Sequence, residues 1–221
     1  VAQNYLRRAL ALQPAWHEMA RAVPVLAPYL LLAARVGELV QRGFGPYSSK
    51  RFRHADETER VIDVARLVDV PVQAVNTYVS IGFADWAWLE AERPRFEVLL
   101  ASSADAEASG RIVANTVFHL MAAARYPAPG LTLPGAVEAL GLAGISTRLP
   151  HAYFTVPKLW AVHLPLDLGP PVITLTQIVP IADGELALLQ RVGVAEFEQR
   201  LAAARLDVAD LERRPLLGAA G

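Results

Sequence analysis

The chain has 221 residues, 53% of them hydrophobic and 19% charged, with a formal net charge of −1. That balance excludes a disordered chain, and it supplies no basic surface of the kind on which nucleic-acid binding rests. The lack of cysteine excludes disulfides, thiolate metal sites and a cysteine nucleophile, and it fits a reducing cytoplasm.

Apolar side chains at Tyr5, Leu6, Ala9, Leu10 and Leu12 predict a short amphipathic helix over 3–13, broken by Pro14. Val23 to Ala34 is strongly apolar, but about a dozen residues interrupted by Pro24 and Pro28 cannot span a bilayer of roughly 30 Å. A core helix opened by Pro28 in its first turn and stopping near Gly43 is the expectation. A cryptic targeting signal beginning at Met19 and an interfacial segment are the alternatives. Arg51, Arg53, His54 and Arg60 cluster, but Asp56, Glu57 and Glu59 sit among them, as on a solvated surface segment.

From Val61 the period becomes that of strands. VIDVARLVDVPV (61–72), VNTYVSIG (75–82) and RFEVLLASS (95–103) read as three strands, the second ending on Gly82, where a conformation disfavoured by a Cβ is expected. Ala104 to Tyr126 reads as the main helix, with Ser102 or Ser103 as its cap and Asp105 and Glu107 in or beside the first turn. Ile112, Val113, Thr116, Leu120 and Ala123 form its apolar stripe, and Gly110 weakens its interior. Residues 131–150 carry several Gly and Pro and give no clear element. AYFTVP, LWAVHLPL and VITLTQIVPI read as further strands. Two closing helices over 182–190 and 194–205 meet at Gly193, with Asp183 able to cap the first and Glu185 in its first turn. The chain is loose from Arg213 on by this reading.

Helices thus bracket runs of strands without strict alternation, which predicts an α+β fold: a mixed, mainly antiparallel sheet flanked by helices, an α/β sandwich. The expected organisation is an N-terminal helical segment (1–42), one domain (43–215) and a loose tail (216–221).

Chemical motifs are sparse. His17, His54, His119, His151 and His163 form no zinc-binding spacing, although His151, beside Pro150 and Tyr153, is placed to line a groove. Neither G-x-S-x-G nor G-x-x-x-x-G-K-[ST] occurs. A pair of tryptophans flanked by acids, Asp85-Trp86-Ala87-Trp88 with Glu90 and Glu92, is the best candidate for a partner-binding surface, because tryptophan concentrates at interface hot spots. Both tryptophans fit a semi-buried structural role as well.

Three segments in order resemble the suppressor of fused family: 62–71 with Tyr78-Val79-Ser80-Ile81-Gly82-Phe83-Ala84-Asp85-Trp86; the strand 95–101 with Glu97 near its start, followed by the main helix and the proline-glycine turn; and Ile178-Val179-Pro180-Ile181 with Glu185, leading to Gly193. The similarity covers about 43–215, with motif positions at Ser80, Gly82, Ala84, Glu97, Pro180 and Glu185. Ser80 and Phe83 depart from the residues usual there, and the first 40 residues show no match. The resemblance implies a mixed-sheet sandwich without cofactor. Animal members hold a transcription factor inactive, and short bacterial members are proposed as immunity proteins that bind and block a cognate toxin.

The expectation is therefore a cytoplasmic protein-binding module, not an enzyme, with no nucleic-acid partner and no membrane span, acting as a monomer or weak homodimer. A basic toxin would call for an acidic face, with Asp85, Glu90, Glu92 and Glu97 as candidates. An uncharacterised hydrolase, with His151 or His163 beside a carboxylate in a deep pocket, and a self-associating or peripheral-membrane protein using 23–40 are the rival readings.

Overall fold

A computed structural model describes residues 27–57, 60–86, 94–160 and 172–216. In chain order the elements are α1 (Ala27–Phe44), β1 (Ser48–Arg53), β2 (Val61–Leu67), β3 (Asn76–Ile81), β4 (Arg95–Ser102), α2 (Ala106–Ala123), β5 (Thr132–Leu133), a 3-10 turn (Glu138–Leu140), α3 (Ile145–Arg148), β6 (His151–Thr155), β7 (Ile173–Ile181), α4 (Asp183–Val192) and α5 (Val194–Ala203). The predicted helix over 3–13 and most of the strand over 159–166 lie outside the described residues. Leu159 and Trp160, which are described, lie in an irregular turn after β6.

The strands form one sheet of seven in the order β1-β2-β3-β4-β7-β6-β5. Neighbours run antiparallel except β4 and β7, which are parallel, with Glu97 beside Leu175. Side chains alternate between the faces, and both faces are covered. Ile62, Val64, Tyr78, Val98, Leu100, Phe154 and Ile178 pack against α2. Ala65, Leu67, Val79, Leu99, Ala101, Ile173 and Leu175 pack against Val36 and Val40 of α1 and against Trp160. Farther along that second face, Tyr153, Val179 and Ile181 meet Leu188 and Leu189 of α4 and Phe197 of α5. Burial on both faces explains why β4 and β7 read as nearly continuous apolar runs. Val36 and Val40 are therefore spent on the core.

Several boundaries differ from the sequence expectation. β2 ends at Leu67, not near Pro71, because Asp69 turns left-handed (φ 56°) and its carboxylate accepts the Ala74 amide at 2.8 Å. The cap of α2 is Asp105, not Ser102 or Ser103: its carboxylate accepts the amides of Glu107 (2.7 Å) and Ala108 (2.9 Å). Ser102 is buried instead and receives a hydrogen bond from Ser109. α2 stops at Ala123, where Ala124 turns left-handed, so Ala123 is exposed and leaves the predicted stripe. Gly110 has a packing role. A Cβ there would lie 2.7 Å from the Phe52 ring, so the missing side chain lets β1 approach the helix.

Candidate functional site

The most unusual chemistry lies where β3 leaves β4. The two strands pair only as far as Val79 and Leu99. At the next residue the Ser80 hydroxyl accepts the Val98 amide at 2.9 Å, the work of a ladder carbonyl, and donates to the Glu97 carboxylate. Glu97 in turn accepts the consecutive amides of Gly82 (2.9 Å), Phe83 (3.2 Å) and Ala84 (3.1 Å). Gly82 sits at φ +106°, a conformation open mainly to glycine, and this orients the following amides toward one point. One side chain thus replaces a stretch of sheet and fixes the start of the loop. Glu97 is fully buried, and loss of water pushes its carboxyl up to about 8 against the pull of its donors, with the nearby Asp85 charge adding to the rise. That burial removes Glu97 from the set of acids available to a partner.

The loop then closes on itself through Trp86 N–H to the Phe83 carbonyl (2.9 Å). The Trp86 carbonyl accepts from Arg95 at 2.9 Å, and the Arg60 guanidinium lies 5.2 Å from the Trp86 ring centre. Arg60 therefore supports this loop as well as pairing with Glu57. Asp85 and Trp86 are both partly exposed. Trp88, Glu90 and Glu92 lie outside the described residues.

Ser80, Gly82, Ala84 and Glu97 are thus brought together, whereas Pro180 and Glu185 form a second cluster. Pro180 lies five residues along β7 from Leu175, the partner of Glu97, which is roughly 16 Å away along the strand. Here Asp183 does not cap α4; Ala182 occupies that place, and Glu185 reaches back to accept its amide at 2.8 Å. The buried Glu185 carboxylate also receives both ends of the Arg213 guanidinium, at 2.7 and 2.9 Å, and the Leu216 amide at 2.8 Å. Arg213 further donates to the Pro180 carbonyl at 3.0 Å and is only 5% exposed. The expected looseness from Arg213 onward is overturned for 213–216. No local pattern marks Arg213, because its partner lies 28 residues away.

A cavity of about 500 Å³ is lined by Glu138, Ser146, Thr147, Pro150 and Asp183; His151 is not among its lining residues, and its own chemistry is used up. Its Nδ1 accepts the Gly135 amide at 3.0 Å, so the proton sits on Nε2 and is donated to Asp183 at 2.8 Å. The Ser146 hydroxyl donates to the Val137 carbonyl and accepts the Leu142 amide. Neither is left as nucleophile or base. Among the described residues no three His, Asp or Glu side chains converge as metal ligands would, and no helix is long and apolar enough to cross a membrane.

The curated relatives include the immunity protein YqcF of Bacillus subtilis (strain 168), 20% identical over 166 residues, which cover 73% of this chain and 85% of that one. Among solved structures, a suppressor of fused homologue from Neisseria gonorrhoeae FA 1090 superposes with a TM-score of 0.62 at 18% identity, over 86% of this chain and all of that one. The Sufu–Fu complex superposes with a TM-score of 0.55 at 13% identity, over 83% and 89% of the two chains. The family model described as suppressor of fused protein matches residues 58–214, which hold the Glu97 knot and the Glu185–Arg213 pair, and the chain belongs to that family.

Proposed function

We propose that this chain is an immunity-type binding protein that neutralises a cognate toxin by covering its active site. The observation that carries the reading is the Glu97 knot. A buried carboxylate that gathers three successive amides holds residues 82–84 rigid at the end of β3, and a rigid docking segment loses little entropy on binding. Asp85 and Trp86, continued by Trp88, Glu90 and Glu92, are the proposed docking residues: aromatic anchors with acidic neighbours, suited to a basic partner. The kinship with an immunity protein supports the same reading. So does the engagement of His151 and Ser146 with backbone and Asp183, which favours a binder over a hydrolase. The protein would act in the cytoplasm as a monomer or weak homodimer.

The test is capture of partners by the tagged protein from its native lysate, with mass spectrometry of what is retained. A stoichiometric protein carrying a toxin domain is expected, and Trp86→Ala, checked for an unchanged circular dichroism spectrum, should retain less of it. A protein recovered alone, or one whose partner binds equally well to the variant, counts against the assignment.

A further inference from the structure

Between the first turns of α2 and the outer strands is a cavity of about 170 Å³, whose lining combines the apolar Phe52, Val64 and Ala106 with Tyr78, Arg66 and Glu107. The strand register accounts for its walls: Ser48, Arg66 and Tyr78 lie in one row across β1, β2 and β3. Lys50 and Glu107 pair at the rim and so cancel each other's charge. That leaves Arg66 as the charge facing the space.

Two polar atoms here have no partner among the described residues, the Tyr78 hydroxyl and the Arg66 Nε. Tyr78 is only 2% exposed. A buried hydroxyl without a partner is costly, and phenylalanine would fill the same volume without that cost. A ligand that accepts a hydrogen bond accounts for both atoms at once.

We propose that this cavity binds a small carboxylate with a compact apolar body. The body would rest on Phe52, Val64 and Ala106, and the carboxylate would take the Arg66 guanidinium and the Tyr78 hydroxyl. The site is independent of the proposed partner-binding loop.

Benzoate is the probe, with benzyl alcohol as its uncharged counterpart, in an amide NMR titration of the full chain. Benzoate is expected to give saturable shifts at Ala106, Glu107 and Gly110, and benzyl alcohol much weaker ones. Tyr78→Phe should weaken benzoate binding about tenfold, as should Arg66→Met. Without benzoate, Tyr78→Phe should melt at the same or a higher temperature, which keeps the test sound if Arg66→Met folds poorly. The proposal is overturned by any of three results: no saturable shifts at those amides, equal binding of the alcohol, or benzoate affinity unchanged in Tyr78→Phe.

Discussion

The Ser80 hydroxyl and the Glu97 carboxylate meet inside the sheet at the point where β3 and β4 stop pairing through their backbones. Ser80 keeps one hand on the ladder through the Val98 amide, and Glu97 receives the three amides that follow Ile81. The arrangement turns the end of a strand into the base of a loop and gives the amides of Gly82, Phe83 and Ala84 a common acceptor.

Glu97→Gln keeps much of this arrangement. The amide oxygen can still accept Gly82 and Ala84, and the new NH₂ can donate to Ser80, so mainly the 3.2 Å contact with Phe83 is lost. The expected cost is about 1–3 kcal/mol by urea denaturation, and more for Glu97→Ala, which strips all three amides. A cost for Glu97→Ala no larger than for Glu97→Gln would contradict this account.

The same residue sets a pH dependence. Its carboxyl rises from 4.5 to about 8 on folding, because burial disfavours the charge. Between those values the folded chain holds a proton that the unfolded chain has released. Its stabilising contribution is therefore complete below pH 4.5 and is lost as pH climbs through 8. Stability should fall on the order of 1 kcal/mol per pH unit within that window, and Glu97→Gln should flatten the slope. Parallel pH profiles for the two proteins would show that Glu97 does not titrate there.

Gly82→Ala tests the backbone side of the knot. At φ +106° a Cβ is strained even though only the Ile62 side chain lies within 4 Å, at 3.8 Å. A loss of about 1–3 kcal/mol is expected, from backbone strain and not from a clash. Trimming Ile62 to valine should therefore fail to rescue it.

Glu185→Ala leaves a buried guanidinium without its counter-charge and two amides without an acceptor, and should cost about 3–5 kcal/mol. Adding Arg213→Met should recover part of that loss. Strictly additive losses in the double-mutant cycle would mean that the pair is not coupled.

At Gly110 two effects compete. Alanine is favoured in a helix by about 1 kcal/mol, but its Cβ would press the Phe52 ring at 2.7 Å. The ring belongs to a short, mostly exposed edge strand, yet it packs into the α2 face, so Gly110→Ala should destabilise. Phe52→Leu should turn the substitution favourable, and a thermal melt of the four proteins reads the sign.

The sequence made the layers legible because they follow from period. Strands alternating over 61–67 and 76–81, the long helix 106–123 and the closing pair at Gly193 are local patterns. What it hid was decided by contacts between distant residues. Asp105 took the cap from Ser102 because Ser102 was drawn into the interior, where Ser109 reaches it. Residues 131–150 were unreadable because a two-residue strand, a 3-10 turn and a single-turn helix carry no period at all. At the knot, Gly82 and Glu97 were singled out as motif positions, but nothing in the order of residues says that one carboxylate gathers three amides 13 to 15 positions away.

The pairing of Glu185 with Arg213 also has a consequence for synthesis. During translation the carboxylate emerges first, and its partner follows 28 residues later. Until then β7 and α4 carry a carboxylate whose counter-charge, Arg213, has yet to be made. A chain cut between the two residues would keep β7 and α4 but leave the buried Glu185 carboxylate without the guanidinium that pairs with it.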